Sequence, residues 1–151
     1  MIWSQARVQF ESVSTGKVLD RIADSRDLRH LRLATPSDAL SQQWTIRTDT
    51  HDVSAILTVV EPGSSALEHA IGLCDDQLSN GEPLCMDPFT GSDAQRFYIE
   101  VNGDGNWTIR SLQCGRVIDA GEGDVQDGAP VRLWDDYRLA RQRWRIVVVG
   151  R

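Results

Sequence analysis

The histidines and the adjacent aspartates are the residues of this chain whose types could support catalysis or bind a metal. His30, His51 and His69 are scattered and have no metal-ligand spacing, so they predict no metal site. Asp75–Asp76 and Asp135–Asp136 are neighbours in sequence, and neighbours on a strand point to opposite faces, which makes them poor acid–base pairs. The chain also has no nucleophile elbow and no glycine-rich phosphate fingerprint. The sequence therefore predicts a protein that is not an enzyme and uses no metal or cofactor.

The cysteines leave their oxidation state open. An odd number, Cys74, Cys85 and Cys114, does not make a complete disulfide framework. Cys74 and Cys85 could pair, but their spacing alone does not show it. The favoured interpretation is free thiols that pack as small hydrophobic side chains.

Length and charge narrow the class of protein. At 151 residues the chain predicts a single domain over residues 1–151. A net charge of −6 argues against a nucleic-acid partner, which requires a basic surface. Apolar runs such as Val147–Val149 are too short to enter a bilayer, so no membrane insertion is expected. The start of the chain has no signal-peptide pattern, which leaves a cytoplasmic location, export by a non-classical route, or a mature or excised domain.

An internal repeat indicates which elements would position a binding site. The pattern Gln-x-aromatic-x-Ile occurs at Gln42–Ile46, Gln95–Ile99 and Gln142–Ile146. Its period of about 50 residues is of the length that repeat architectures use. The pattern therefore divides the chain into three similar units.

Each unit contains short apolar runs with a period of two, separated by turn residues, and lacks a sustained helical stripe. We predict an all-β chain of about four strands per repeat, with repeats roughly at 1–50, 51–103 and 104–151. Four strands cannot bury one face alone, so the three units must share a core. Each unit also contains two hydrophobic residues followed by an aspartate. We match Val18–Asp20 in the first unit with Leu73–Asp75 in the second and Val117–Asp119 in the third.

These motifs resemble the ricin-type (R-type) lectin β-trefoil family, which is marked by three Gln-x-Trp repeats. Two further features match: Gly-x-Val-Leu/Ile-Asp at Gly16–Asp20 and Gly115–Asp119, and Gly-x-x-Val-x-Leu-Trp at Gly128–Trp134. The resemblance covers essentially the whole chain and implies a β-trefoil with pseudo-threefold symmetry. The aromatic residues of the repeated motif are then expected in the shared core; they are Trp44, Phe97 and Trp144.

The resemblance also implies a sugar site in the third repeat. Asp119 stands where family members accept hydrogen bonds from sugar hydroxyls, and Trp134 stands where an aromatic ring stacks on the sugar. Gln142 supports the site, and Arg141 replaces the asparagine that precedes this glutamine in the family. Tyr137 is a second or alternative platform.

The first and second repeats lack a stacking residue. Asp20 and Asp75 are weaker sugar-binding candidates, because Ala34 and Asp87 occupy the aromatic position. We interpret these two aspartates as turn or hydrogen-bonding residues. The acidic, glycine-rich loop 121–128 either rims the third site or is a solvated loop.

We therefore expect a carbohydrate-binding lectin or module with one competent site for galactose-like or other glycans. Its partners would be glycans or glycoproteins, and a single shallow site would need a homo-oligomer or a tethered partner domain for avidity. One alternative is a protein-interaction trefoil, protease-inhibitor-like or partner-docking, without sugar binding. Another is a structural domain of a larger toxin or enzyme.

Overall fold

The structure is a computed structural model that describes residues 3, 5–21, 29–74 and 78–151. Over these residues the chain forms twelve strands and three single-turn 3₁₀ helices. The strands are β1 (Arg7–Ser12), β2 (Val18–Asp20), β3 (Arg32–Ala34), β4 (Trp44–Thr48), β5 (Ser54–Thr58), β6 (His69–Leu73), β7 (Leu84–Pro88), β8 (Phe97–Val101), β9 (Trp107–Ser111), β10 (Val117–Asp119), β11 (Arg132–Trp134) and β12 (Trp144–Gly150). The 3₁₀ helices are Leu40–Gln42, Asp93–Gln95 and Ala140–Gln142, each at the glutamine of the repeated motif.

Six of the strands close into an antiparallel barrel in the order β1–β4–β5–β8–β9–β12, with β12 pairing back to β1. The other six form three hairpins, β2–β3, β6–β7 and β10–β11. Closure removes the free sheet edges of the barrel. This architecture confirms the predicted β-trefoil.

The three hairpins meet in a ring of backbone hydrogen bonds around the pseudo-threefold axis. The N–H of Leu31 donates to the carbonyl of Leu84 (3.0 Å), Leu84 donates to Val131 (3.2 Å), and Val131 donates back to Leu31 (3.2 Å). All three side chains are fully buried. The ring satisfies buried backbone groups that no hairpin could pair by itself.

The aromatic residues of the repeated motif lie in the core, as predicted. Trp44, Phe97 and Trp144 are each 0% exposed. The indole N–H of Trp44 donates to the carbonyl of Leu19 at 3.2 Å, and that of Trp144 donates to Ile118 at 3.1 Å. Each tryptophan thus fixes the hairpin of its own repeat to the barrel, while Phe97 fills the equivalent space without an N–H.

The strand register assigns equivalent positions in the hairpins. Leu33 pairs with Leu19, and the next residue of β2 is Asp20. Leu133 pairs with Ile118 in the same way, and the next residue of β10 is Asp119. The first and third repeats therefore present an aspartate at the same place, as the sequence indicated.

The second repeat differs, and the predicted match of Leu73–Asp75 with Val18–Asp20 is wrong in register. Met86, the counterpart of Leu33, pairs with Ile71, so Gly72 holds the aspartate position. A Cβ added to Gly72 would lie 3.0 Å from the carbonyl oxygen of Ala94 and from Cγ of Gln95, so a side chain there would require these neighbours to shift. Asp75 itself lies outside the described residues.

Cys74 and Cys85 form a disulfide, with their Cα atoms 5.2 Å apart, which corrects the expectation of free thiols. Cys85 lies in β7 and Cys74 directly follows β6, so the hairpin register brings the two together. Sequence spacing could not show this proximity because it depends on that register. In the described part of the chain Cys114 is the free cysteine. No helix formed by the described residues is long and apolar enough to span a membrane.

Candidate functional site

The third repeat contains a buried Asp119–Gln142 pair. Asp119 is 0% exposed, and the side-chain amide of Gln142 donates to its Oδ2 at 3.1 Å and to the carbonyl of Asp135 at 2.7 Å. The carbonyl oxygen of the same amide accepts from the backbone N–H of Tyr137 (2.9 Å) and of Leu139 (3.4 Å). Gln142 therefore holds the loop that follows β11 against the aspartate.

Two arginines complete the surroundings of the Asp119 carboxylate. Nε of Arg132 lies 3.3 Å from Oδ1, and Nε of Arg141 lies 3.5 Å from Oδ2. The backbone N–H of Gly121 also donates to Oδ1 at 2.6 Å. Glu122 pairs with both arginines, at 3.1 Å from Arg141 and 3.6 Å from Arg132. Both carboxylate oxygens of Asp119 are thus engaged within the protein.

Trp134 is half-buried, and a guanidinium covers its ring. Arg132 and Trp134 are two apart on β11 and so share one face of the hairpin. The guanidinium carbon of Arg132 lies 4.3 Å from the centroid of the Trp134 ring, which is a cation–π contact. Arg132 therefore links the ring to the carboxylate and covers one face of the ring.

The structure thus brings four of the five third-repeat candidates together: Asp119, Trp134, Arg141 and Gln142. Tyr137 is tied to Gln142 only through its backbone, and it is 60% exposed. Sequence reasoning missed Arg132 and treated Glu122 only as part of a rim. The period of two that places Arg132 beside Trp134 could have identified it.

The first repeat has the same pair without a platform. Gln42 donates to Oδ2 of Asp20 at 3.0 Å and to the carbonyl of Thr35 at 2.9 Å. Asp20 is 5% exposed, and its Oδ1 has no hydrogen-bond partner among the described residues. Ala34, at the aromatic position, is buried and offers no flat surface.

In the second repeat, where Gly72 replaces the aspartate, the glutamine binds backbone groups instead. Gln95 donates to the carbonyl of Pro88 at 2.9 Å and accepts from the N–H of Thr90 at 2.9 Å. A buried carboxylate beside an aromatic platform therefore occurs in only one repeat of the described chain, the third.

Solved structures with the same architecture include lectins and parts of larger proteins. ThreeFoil, a designed threefold-symmetric protein, is 21% identical, with a TM-score of 0.81 over 95% of this chain and 99% of its own. The exo-β-1,3-galactanase 1,3Gal43A from Clostridium thermocellum is 25% identical, with a TM-score of 0.84 over 96% of this chain and 30% of its own. A ricin B-like lectin from Macrolepiota procera, solved in complex with lactose, is 21% identical, with a TM-score of 0.73 over 95% of each chain.

A family model described as ricin-type β-trefoil lectin domain-like matches residues 69–134. The chain is a β-trefoil that resembles the ricin-type lectins. The match spans the second repeat from β6 onward and the third repeat as far as Trp134, so it includes both Asp119 and Trp134. No curated protein sequence matches this trefoil. The resemblance supports carbohydrate binding at the level of the family and favours a role without catalysis.

Asp136, beside the site, makes the stability of the trefoil sensitive to acid. Burial raises the pKa of Asp136, but hydrogen bonds from Arg110 and from the backbone N–H of Arg138 outweigh this and lower it below its ordinary value of 3.8. Because its folded-state pKa is lowered, the ionised Asp136 carboxylate stabilises the folded protein. This stabilisation is complete above pH 3.8 and is lost as the pH falls through the folded-state pKa. We expect the urea concentration at the midpoint of unfolding to decrease when the pH is lowered below 3.8, and to decrease less in Asp136→Asn. Asp38→Asn, at an exposed residue with no ion pair among the described residues, is the control; an equal change in both variants would contradict the assignment.

Proposed function

We propose that this trefoil is a carbohydrate-binding lectin or module with one competent site, in the third repeat. The observation that carries the proposal is the half-buried Trp134 ring on the same hairpin face as the Asp119–Gln142 pair. A pyranose has polar edges and an apolar C–H face, and a flat ring beside fixed polar groups complements both. The family-level resemblance supports the same function.

The geometry suggests how a sugar would enter. Arg132 must leave the Trp134 ring, and Glu122, already 3.6 Å from its guanidinium, can receive it. The sugar face then stacks on the ring, while its hydroxyls accept from Arg141 and donate to the exposed Glu122 carboxylate. Asp119 contacts both arginines before the sugar binds, at 3.3 Å from Arg132 and 3.5 Å from Arg141. Once Arg132 has moved, Asp119 keeps its contact with Arg141, and its own oxygens can contact the sugar. Galactose-like sugars or other glycans of this form are the proposed ligands.

A glycan array followed by NMR titration with the best ligand tests the site. Trp134→Ala should weaken binding at least tenfold, because the stacking surface is lost, and Tyr137→Ala should have a smaller effect. Phe89→Ala, at a half-buried aromatic residue in the corresponding loop of the second repeat, is the matched control. Unchanged affinity in Trp134→Ala would place the site elsewhere.

Arg132→Gln should strengthen sugar binding by about twofold to thirtyfold. The substitution removes the cation–π contact, worth about 0.5–2 kcal/mol, that the sugar must otherwise displace. Isothermal titration of both proteins with one sugar measures the change. Arg32→Gln, at the same position of the first repeat, controls for general effects of charge removal. Weaker binding in Arg132→Gln would show that this arginine contacts the ligand and does not block it.

One observation favours a protein-interaction trefoil as the alternative. Val147 (40% exposed), Val148 (53%) and Val149 (42%) are three consecutive exposed apolar residues of β12. Apolar residues clustered on a surface suit contact with a protein, which could also be a second copy or a tethered domain that supplies avidity. Pull-down with and without free galactose separates the alternatives: partners released only by the sugar indicate a lectin, and partners retained in its presence indicate protein binding.

A further inference from the structure

A second cluster of side chains that could bind a metal lies where the first repeat meets the second, and none of its residues belongs to the proposed lectin site. The imidazole of His30 and the sulfurs of Cys74 and Cys85 lie within 4.8 Å of one another. Both cysteines are buried, at 7% and 0% exposure, whereas His30 is partly exposed. The imidazole is therefore the most exposed of the three groups.

The backbone fixes this arrangement. The segment around His30 adds to the edge of β7, where an isolated bridge pairs His30 with Cys85. The N–H of Leu31 donates to the carbonyl of Leu84 at 3.0 Å, next to that bridge. On its other side Cys85 pairs with Gly72, which has no side chain to fill the space between the strands. The three groups are therefore held together by strand pairing and not by the disulfide alone.

Compared with the other two hairpins, the β6–β7 hairpin carries different residue types at the equivalent positions. Cys85 occupies the position that Arg32 and Arg132 hold in the other hairpins, and Gly72 occupies the position of Asp20 and Asp119. An acid–arginine arrangement is thus replaced by sulfur, with an imidazole from the neighbouring repeat beside it. Thiolate and imidazole are the ligands that zinc prefers.

We propose that reduction of the Cys74–Cys85 disulfide converts this cluster into a zinc site with His30 as the third protein ligand. A small dithiol supplies two electrons and two protons, so the S–S bond breaks, two thiols form, and the dithiol is oxidised to its own disulfide. Zinc then displaces both thiol protons to solvent and binds two thiolates and the neutral imidazole. Water takes the fourth tetrahedral position, and the two thiolates neutralise the charge of the ion.

The distances allow this change. Bonds of about 2.3 Å to sulfur and about 2.1 Å to nitrogen place tetrahedral ligand atoms about 3.5–4 Å apart. The sulfurs must separate from their bonded distance, while the imidazole already lies within the 4.8 Å that encloses the cluster. The proposal does not depend on carbohydrate binding, because no residue of the lectin site takes part.

The test compares oxidised and dithiol-reduced full-length protein in anaerobic zinc titrations against a chromophoric chelator, with near-ultraviolet circular dichroism to verify the fold. We expect one zinc per chain in the reduced protein only. Cobalt(II) should show the charge-transfer absorption of thiolate ligands. His30→Ala should weaken zinc binding at least tenfold, Cys85→Ser should abolish the tight site, and Cys114→Ser should leave it unchanged.

Several results would overturn the proposal. They are the absence of stoichiometric zinc in the folded reduced protein, full affinity in His30→Ala, and loss of the site in Cys114→Ser. Loss of the native dichroism on reduction, not restored by zinc, would also count against it, because the proposed site requires the β6–β7 hairpin. Sugar binding measured on the same samples is expected to be unchanged, so failure of either proposal can be recognised separately.

Discussion

Asp119→Ala is expected to lower the free energy of unfolding by about 3–5 kcal/mol, the loss seen when one partner of a buried ion pair is removed. The substitution leaves Arg132 and Arg141, with side chains 23% and 25% exposed, without their shared carboxylate. It also removes the acceptor for Gln142 and for the N–H of Gly121. Urea denaturation followed by tryptophan fluorescence measures the loss.

The first repeat provides the matched control for this prediction. Asp20 is nearly as buried as Asp119, but among the described residues its carboxylate accepts a single hydrogen bond, from Gln42. Asp20→Ala should therefore cost only about 1–3 kcal/mol, the range for one buried hydrogen bond. An equal loss in the two variants would show that the arginines around Asp119 add nothing to stability. Asp119→Asn, which keeps the shape but not the charge, should fall between Asp119→Ala and the unsubstituted protein.

Removal of the Cys74–Cys85 disulfide is expected to lower the free energy of unfolding by about 3 kcal/mol. The bridge joins residues 11 apart in sequence, and closing a loop of this length restricts the unfolded chain by about that amount. The double variant Cys74→Ser/Cys85→Ser should show the loss in urea, and a dithiol should produce a similar loss in the unsubstituted protein. Cys114→Ser is the control, since Cys114 is unpaired.

These measurements require a chelator, because a metal bound to the reduced cysteines would stabilise the folded state and hide part of the effect. Adding zinc to the reduced protein should recover stability, whereas the double serine variant should not respond. If the double variant were as stable as the unsubstituted protein, the bridge would not constrain the unfolded chain. The stability measurements and the zinc titrations are therefore two independent tests of the region around Cys74 and Cys85.

The repeated glutamine predicted the third-repeat pair because a local pattern determines it. Gln142 ends a single-turn 3₁₀ helix just before β12, and the next aromatic residue, Trp144, enters the core. Gln142, two residues before Trp144, is then held beside the preceding hairpin, where Asp119 lies. The same logic identified the pair Gln42–Asp20.

Counting along the chain failed in the second repeat because loop lengths vary. The aspartate and its glutamine are 22 residues apart in the first repeat and 23 in the third. A strand alternates its faces with every residue, so an uncertainty of even one residue changes which side chain faces the site. That is how Asp75 was matched in place of Gly72, and why spacing alone left the pairing of Cys74 with Cys85 open.

The sequence by itself indicated an all-β chain of three repeats, because short apolar runs with a period of two recur in each unit. The resemblance of its repeated motifs to the ricin-type lectins added the β-trefoil and the aromatic core. Only the tertiary structure decided what surrounds the polar residues. Arg132 lies over Trp134 and against Asp119, and His30 lies beside a disulfide of another repeat. These contacts join side chains across strands and between repeats, where strand register and side-chain direction determine which groups meet. The sequence thus pointed to the third-repeat hairpin, and the structure showed that Arg132 covers the Trp134 ring on that hairpin.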